Sequence, residues 1–264
     1  MVLEFVRKLP YDHPYRWDGT LFGGPKLWRP DELGGSLALW LDAEDTSTIT
    51  LNGSNVSQWD DKSGNNRHVT QATASNQPTY TTAGLNGKSI ITFDGTGDGL
   101  TLASEVSIPR DMVSVSKGHG YLYSGNISDQ RILYTSSGNV LYWDTAIGSP
   151  NNLTVTGRNA TDTFIEQYTA ENLDWEIYLN GSSAANGSVS SAWVADNEMN
   201  QIGLKWNPAT GVSTWTGYFA EIVWTGSVMS TADRQKLEGY LAHKWGLEAD
   251  LPSGHPYKST PPTV

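Results

Sequence analysis

The sequence predicts an all-β fold, a two-sheet antiparallel jelly-roll sandwich with one C-terminal α-helix. Three observations lead there. The 264 residues are 38% hydrophobic and only 17% charged, with a polar remainder dominated by Gly, Ser, Thr and Asn, which suit short strands and tight turns. Turn signals recur about every ten residues, the spacing of a sandwich or jelly roll. A helical apolar period stands near the end of the chain.

The elements follow in order. Leu37-Ala-Leu-Trp-Leu41 is a short apolar run suited to a buried strand. Ser89-Ile-Ile-Thr-Phe93 is another, bounded by the turn pairs Asn86-Gly87 and Asp94-Gly95. Residues 131–134 and 139–143 flank Ser-Ser-Gly and read as a hairpin. Thr163–Tyr168 and Asp174–Leu179 read as a second, whose later strand alternates Trp175, Ile177 and Leu179 with Asp174, Glu176 and Tyr178. Gly217–Trp224 is the longest strand candidate. Ser230 with Asp233 forms a capping pair, and Leu237, Tyr240, Leu241 and Trp245 then recur on one helical stripe. Gly246 stands where a helix end favours a left-handed residue.

Composition also excludes. The absence of cysteine removes disulfides, thiolate catalysis and sulfur-ligated zinc. A net charge of −11 disfavours nucleic acid, whose phosphates demand a basic face. No apolar stretch approaches the length of a membrane span. The charge is split: residues 1–30 hold five bases against three acids, a net of +2, which leaves −13 on residues 31–264. Residues 1–30 also carry four of the twelve prolines and many aromatics. Proline at that density prevents a regular helix or central strand, and the aromatics make the segment too apolar for an ordinary disordered tail. It reads as an extended arm, docked either on its own domain (residues 31–264) or on a neighbouring subunit, with Arg7, Lys8, Arg16, Trp17 and Trp28 as its contact residues. The frame Leu-Pro-x-x-His-Pro-Tyr occurs at Leu9–Tyr15 and again at Leu251–Tyr257. His13 and His255 within it read as hydrogen-bonding turn residues, since neither has a second His at ligand spacing.

Several stretches resemble the laminin-G-like domains of the concanavalin A-like lectin/glucanase superfamily. They are Trp59-Asp-Asp-Lys-Ser-Gly-Asn-Asn-Arg-His-Val-Thr-Gln71, Phe93-Asp-Gly-Thr-Gly-Asp-Gly-Leu100, Ile177-Tyr-Leu-Asn-Gly181, Gln201-Ile-Gly203 and Gly217–Ile222. The closing run Arg234–Gly246, followed by Leu251–Tyr257, is the most specific, and is similar to modules found in bacteriophage structural proteins and bacterial surface proteins. The match spans roughly residues 33–258 and is poor over 104–160. It implies a two-sheet jelly roll with sugar- or protein-binding loops at its rim.

Calcium is the ligand chemistry to expect. The loop Asp60–Asn66 offers several hard oxygen donors, and Asp94 and Asp98 add two more. The resemblance points to Asp61 and Asn65. The alternative is that these residues simply make the turns through side-chain to backbone hydrogen bonds. For sugar stacking, Trp206, Trp215, Tyr142 and Trp143 stand beside amides and carboxylates, although each is equally suited to a core or an interface. Asp174 and Glu176 share a strand face, but the glucanase spacing is a tighter run than Glu171-Asn-Leu-Asp-Trp-Glu176. No Gly-x-Ser-x-Gly elbow, His-Glu-x-x-His or phosphate loop occurs, so the chain reads as a non-enzyme.

The resulting expectation is a bacteriophage virion structural protein, a head decoration, fibre or tail component. It would be made in the host cytoplasm, anchored to other virion proteins through the arm, oligomeric on the particle surface, and able to hold host polysaccharide. The alternatives are a bacterial glycan-binding or adhesion module and, third, a glycan-cleaving enzyme on the same fold.

Overall fold

The computed structural model describes residues 26–264 apart from 108, 126–130, 136–139, 145–151, 172–173, 189–197 and 208–210. The protein is mostly β with one C-terminal α-helix, as its sequence predicts. The strands run β1 (Leu37–Asp42), β2 (Ile49–Asn52), β3 (Asn55–Trp59), β4 (Val69–Thr70), β5 (Thr79–Leu85), β6 (Lys88–Asp94), β7 (Leu100–Ser107), β8 (Asp111–Gly125) and β9 (Arg131–Thr135). They continue with β10 (Val140–Asp144), β11 (Asn152–Thr156), β12 (Phe164–Glu171), β13 (Asp174–Leu179), β14 (Ser182–Ser188), β15 (Glu198–Ile202), β16 (Leu204–Asn207), β17 (Gly211–Thr214) and β18 (Thr216–Thr225), before α1 (Thr231–Trp245).

The architecture departs from two separate sheets. Strand pairing closes a ring in the order β18, β6, β5, β3, β4, β7, β15, β8 and back to β18. The cause is the length of two strands. β18, with 10 residues, pairs on one side with β8 and on the other first with β6 and then with β1. β8, with 15, pairs with β18 and then β15 on one side, and with β12 and then β9 on the other. Bending so long a strand needs hinges. Gly118 and Gly120 in β8 and Gly217 in β18 supply them at φ 140, 112 and 143. A Cβ on Gly118 would overlap the Thr216 carbonyl, and one on Gly217 the Lys117 carbonyl.

Two apolar clusters follow from alternation along these strands. Leu39, Leu41, Ile91, Phe93, Phe219, Ile222 and Trp224 fill the barrel interior. Trp40, Ile90, Val113, Val115, Ala220 and Val223 face outward, where α1 covers them with Leu237, Tyr240, Leu241 and Trp245. The Ser230 hydroxyl caps the helix by accepting the Asp233 N–H at 3.1 Å, and Gly246 ends it at φ 70.

Between barrel and helix lies a buried charge network. A bulge between Phe219 and Glu221 turns Glu221 outward beside Ala220, directly opposite Asp42 on β1. The Glu221 carboxylate accepts from Trp40 Nε1 at 2.7 Å, Tyr240 OH at 2.9 Å, Lys244 Nζ at 2.7 Å and Trp245 Nε1 at 2.8 Å. Lys244 also reaches Asp42 at 2.7 Å, and Asp42 is held a second time by Lys62 at 2.9 Å. Two like charges opposed across a ladder repel, and the Lys244 ammonium between them removes that repulsion. Burial alone would raise Asp42, yet the Lys244 and Lys62 ammonium groups outweigh it and lower its pKa to about 2.

Lys244→Met should therefore destabilise the fold by about 3–5 kcal/mol, the range for one partner removed from a buried ion pair, as read by urea unfolding. A second expectation concerns pH. Asp42 titrates lower in the folded than in the unfolded chain, so its contribution is complete above about pH 4 and is lost as pH falls toward 2. The stability gap between the native protein and Asp42→Asn, on the order of 2 kcal/mol at pH 6, should close across that window.

Candidate functional site

The loop after β3 was the leading metal candidate, and it performs a different task. Trp59 anchors it in the barrel core. From there the loop returns along the edge of β1 that pairs with no strand among the described residues. The Asp61 carboxylate accepts the Trp40 N–H at 3.0 Å, and the Lys62 N–H donates to the Trp40 carbonyl at 2.8 Å. Asn65 Nδ2 donates to the Leu37 and Ala38 carbonyls at 2.9 and 3.2 Å, and Arg67 Nη1 donates to Ala38 at 2.7 Å. The loop thus takes the place of a strand and seals an exposed edge. Asp61 accepts three more bonds from Ser63 N, Ser63 Oγ and Arg67 N at 2.9, 2.7 and 3.0 Å. Both its oxygens face N–H and O–H donors, and Asn65 directs its amide hydrogens at carbonyls. That set does not fit a calcium ion, which demands converging oxygens.

The second acidic loop is also built on itself. Asp98 Oδ2 accepts the Asp94 N–H at 2.8 Å and Asp94 Oδ1 accepts the Thr96 N–H at 2.6 Å. Burial, with the Asp94 carboxylate nearby, holds Asp98 above the usual carboxylate range. Among the described residues no group of three or more His, Asp or Glu side chains converges as a metal site.

The aromatic candidates separate. Trp215 has 0% exposure and stacks on Phe219 with ring centroids 5.5 Å apart, so it is a core residue and offers no face to a sugar. The backbones of Tyr142 and Trp143 lie in β10 and that of Trp206 in β16, and their side chains lie outside the described residues. Trp28, grouped by sequence with the docking arm, is 3% exposed and packs edge-on against Tyr240 at 6.3 Å. Its N–H donates to the Pro262 carbonyl at 2.9 Å, while Leu27 bridges Thr263. Residues 26–30 are therefore stitched into the body, on the chain's own C-terminal segment. Arg7, Lys8, Arg16, Trp17 and His13 lie outside the described residues. His255 behaves as expected of a turn residue: Nε2 meets Glu238 at 3.0 Å and Nδ1 accepts the Tyr257 N–H at 3.2 Å.

Several carboxylates are engaged within the fold. Asp174 is exposed on β13 and accepts the Ser188 hydroxyl at 2.6 Å. Glu166 on β12 is fully buried, where it accepts Arg158 Nε at 2.7 Å on one oxygen and Tyr168 OH at 2.7 Å on the other. Arg158 continues to the Gly118 carbonyl at 2.7 Å. Asp111, equally buried, takes four donors from Gln167, Thr169, Thr225 and the Met229 N–H. Every one of these groups ties strands together.

One stretch of the outer barrel wall combines polar side chains with partial exposure. On β6, β18 and β8 the register sets Thr92, Tyr218 and Lys117 in one row and Asp94, Thr216 and His119 in the next. All six are half-buried or exposed. The Tyr218 and Thr163 hydroxyls share a hydrogen bond at 2.6 Å, which fixes the ring. The sequence contains a trace of this wall in Lys117-Gly-His-Gly-Tyr121, where polar residues alternate with glycine. Those glycines disguised the strand.

No family model and no curated protein sequence matches the chain. Solved structures share its fold. The binding domain of Paraclostridial Mosquitocidal Protein 1 superposes with a TM-score of 0.56 at 12% identity, covering 80% of this chain and 53% of that one. Trypanosoma rangeli sialidase in complex with a difluoro-KDN gives 0.53 at 13%, covering 79% and 33%. Domain 4 of AbnA, an extracellular GH43 arabinanase from Geobacillus stearothermophilus in complex with arabinotriose, gives 0.51 at 13%, covering 77% and 98%. The chain spans about half the length of the first and a third of the second. At these identities the likeness is one of fold.

Asp61→Ala should leave the β1 edge unsealed and lower stability by about 1–3 kcal/mol, the range for buried donors left without an acceptor. The melting temperature of the native protein should be the same in EDTA and in millimolar calcium. A rise with calcium would return the ion to this loop.

Proposed function

We propose that this protein is a non-enzymatic glycan-binding module carried on the surface of a bacteriophage particle. The observation that carries the glycan reading is the fold. The chain covers 98% of a domain solved in complex with arabinotriose, so nearly all of that domain's fold has a counterpart here. The half-exposed wall of Tyr218, Lys117, His119, Thr92 and Thr216 adds the ring, hydroxyls and charges that sugar recognition uses. Tyr142, Trp143 and Trp206 stay in the candidate contact set, and Trp215 leaves it.

The non-enzymatic reading is supported by Asp174, which stands on an open strand face, and by Glu166 and Asp111, which are saturated by donors. Carriage on a particle is supported by the closing Arg234–Tyr257 run, similar to tails in bacteriophage structural proteins, and by the charge split. A basic, proline- and aromatic-rich segment before an acidic body suits docking on acidic neighbours while the body stays soluble. Many copies on one particle would turn weak glycan contacts into firm adhesion.

Deleting residues 1–25 should leave a folded protein that retains glycan binding and no longer incorporates into particles assembled in an infected host. Residues 26–30 must stay, because Leu27 and Trp28 belong to the body. Incorporation at the native level would overturn the anchoring role, and release of reducing sugar from a host polysaccharide by the purified protein would overturn the non-enzymatic reading.

A further inference from the structure

We propose that the barrel wall formed by β6, β18 and β8 recognises an acidic, carboxylate-bearing sugar, with Tyr218 as the stacking ring, Lys117 as its countercharge and His119 as a hydrogen-bonding partner. This deepens the glycan-binding reading and rests on it.

The argument starts from charge. Residues 31–264 carry a net −13, and several of the body's cations are held by its own acids. Lys62 and Lys244 are held by Asp42, Arg158 by Glu166, and Arg234 by Glu238. Among the described residues Lys117 and His119 pair with no carboxylate, as is true of Arg67, Lys88 and Arg110, and these two alone share a half-buried wall with an outward tyrosine, Tyr218. An ammonium partly withdrawn from water and left without a counterion is an unfilled requirement, and an anionic ligand meets it.

Geometry narrows the ligand. Residues two apart on one strand stand about 6.6 Å apart, so Lys117 and His119 flank one saccharide unit rather than gripping a single small anion. Tyr218 is the direct cross-strand neighbour of Lys117, and its ring is held by the Thr163 hydroxyl, so a sugar stacked on it lies within reach of the ammonium. Thr92 and Thr216 supply hydroxyls on the two rows. The acid of the patch, Asp94, stands two strands from His119, about 10 Å away, and accepts the Thr96 N–H. The Gly118–Gly217 pair adds no side chain to the strands between the rows.

The test uses the full chain on an array of uronic-acid- and sialic-acid-bearing oligosaccharides, each printed beside its carboxyl-reduced neutral form. Retention on acidic sugars, lost on carboxyl reduction and weakened by salt, is the expected result. Lys117→Gln and His119→Ala should each reduce retention about three- to ten-fold with unchanged melting temperature, as for one hydrogen-bonding or charged contact at a half-exposed site. Equal retention of acidic and neutral forms overturns this inference and leaves glycan binding standing. Silence across the whole array overturns both.

Discussion

The Glu221 carboxylate is the interaction on which the arrangement depends. It lies on the barrel's outer surface, yet α1 covers it completely, so every lone pair must be met by protein. Two tryptophan N–H groups, a tyrosine hydroxyl and an ammonium meet them. Three of the four donors sit on α1 at Tyr240, Lys244 and Trp245, which fixes the rotation and height of the helix against the barrel. The fourth, Trp40, belongs to β1 and brings that strand into register. One carboxylate thus positions the helix, an outer strand and, through Lys244 and Asp42, the loop bearing Lys62. Apolar burial would hold the helix against the sheet in many rotations, whereas the directional donors select one.

The same logic explains the stretches that resemble a known family. The Trp59–Gln71 run works as an edge seal, and Arg234–Gly246 works as a clamp on Glu221. Phe93 fills the core while the acids after it shape their own turn. The recognisable residues are therefore those the architecture needs, and a fold of this kind does not by itself fix a function. The barrel wall around Tyr218 shares its strands with that scaffold, while the side chains of Lys117, His119, Thr92 and Thr216 stand half-buried or exposed on its outer face.

By itself the sequence determined the elements whose signals are local. The Ser230 cap, the Leu237–Trp245 stripe and the Gly246 terminus specify α1 within one residue, because capping and helical period act within a few residues. The alternating strands and Asn-Gly turns specify β6, β12 and β13 for the same reason. Tertiary structure alone decided the rest. β8 was illegible because Ser114, Ser116, Gly118 and Gly120 interrupt its apolar pattern, and those glycines are what let it bend and close the ring. Whether Asp61 and Asn65 bind an ion or a backbone edge depends on β1, more than twenty residues distant, whose edge pairs with no strand among the described residues. Whether Trp215 meets a sugar or Phe219 depends on which way the closed barrel turns it. Local chemistry fixes what a segment can become, and the long-range pairing of strands determines what its side chains meet.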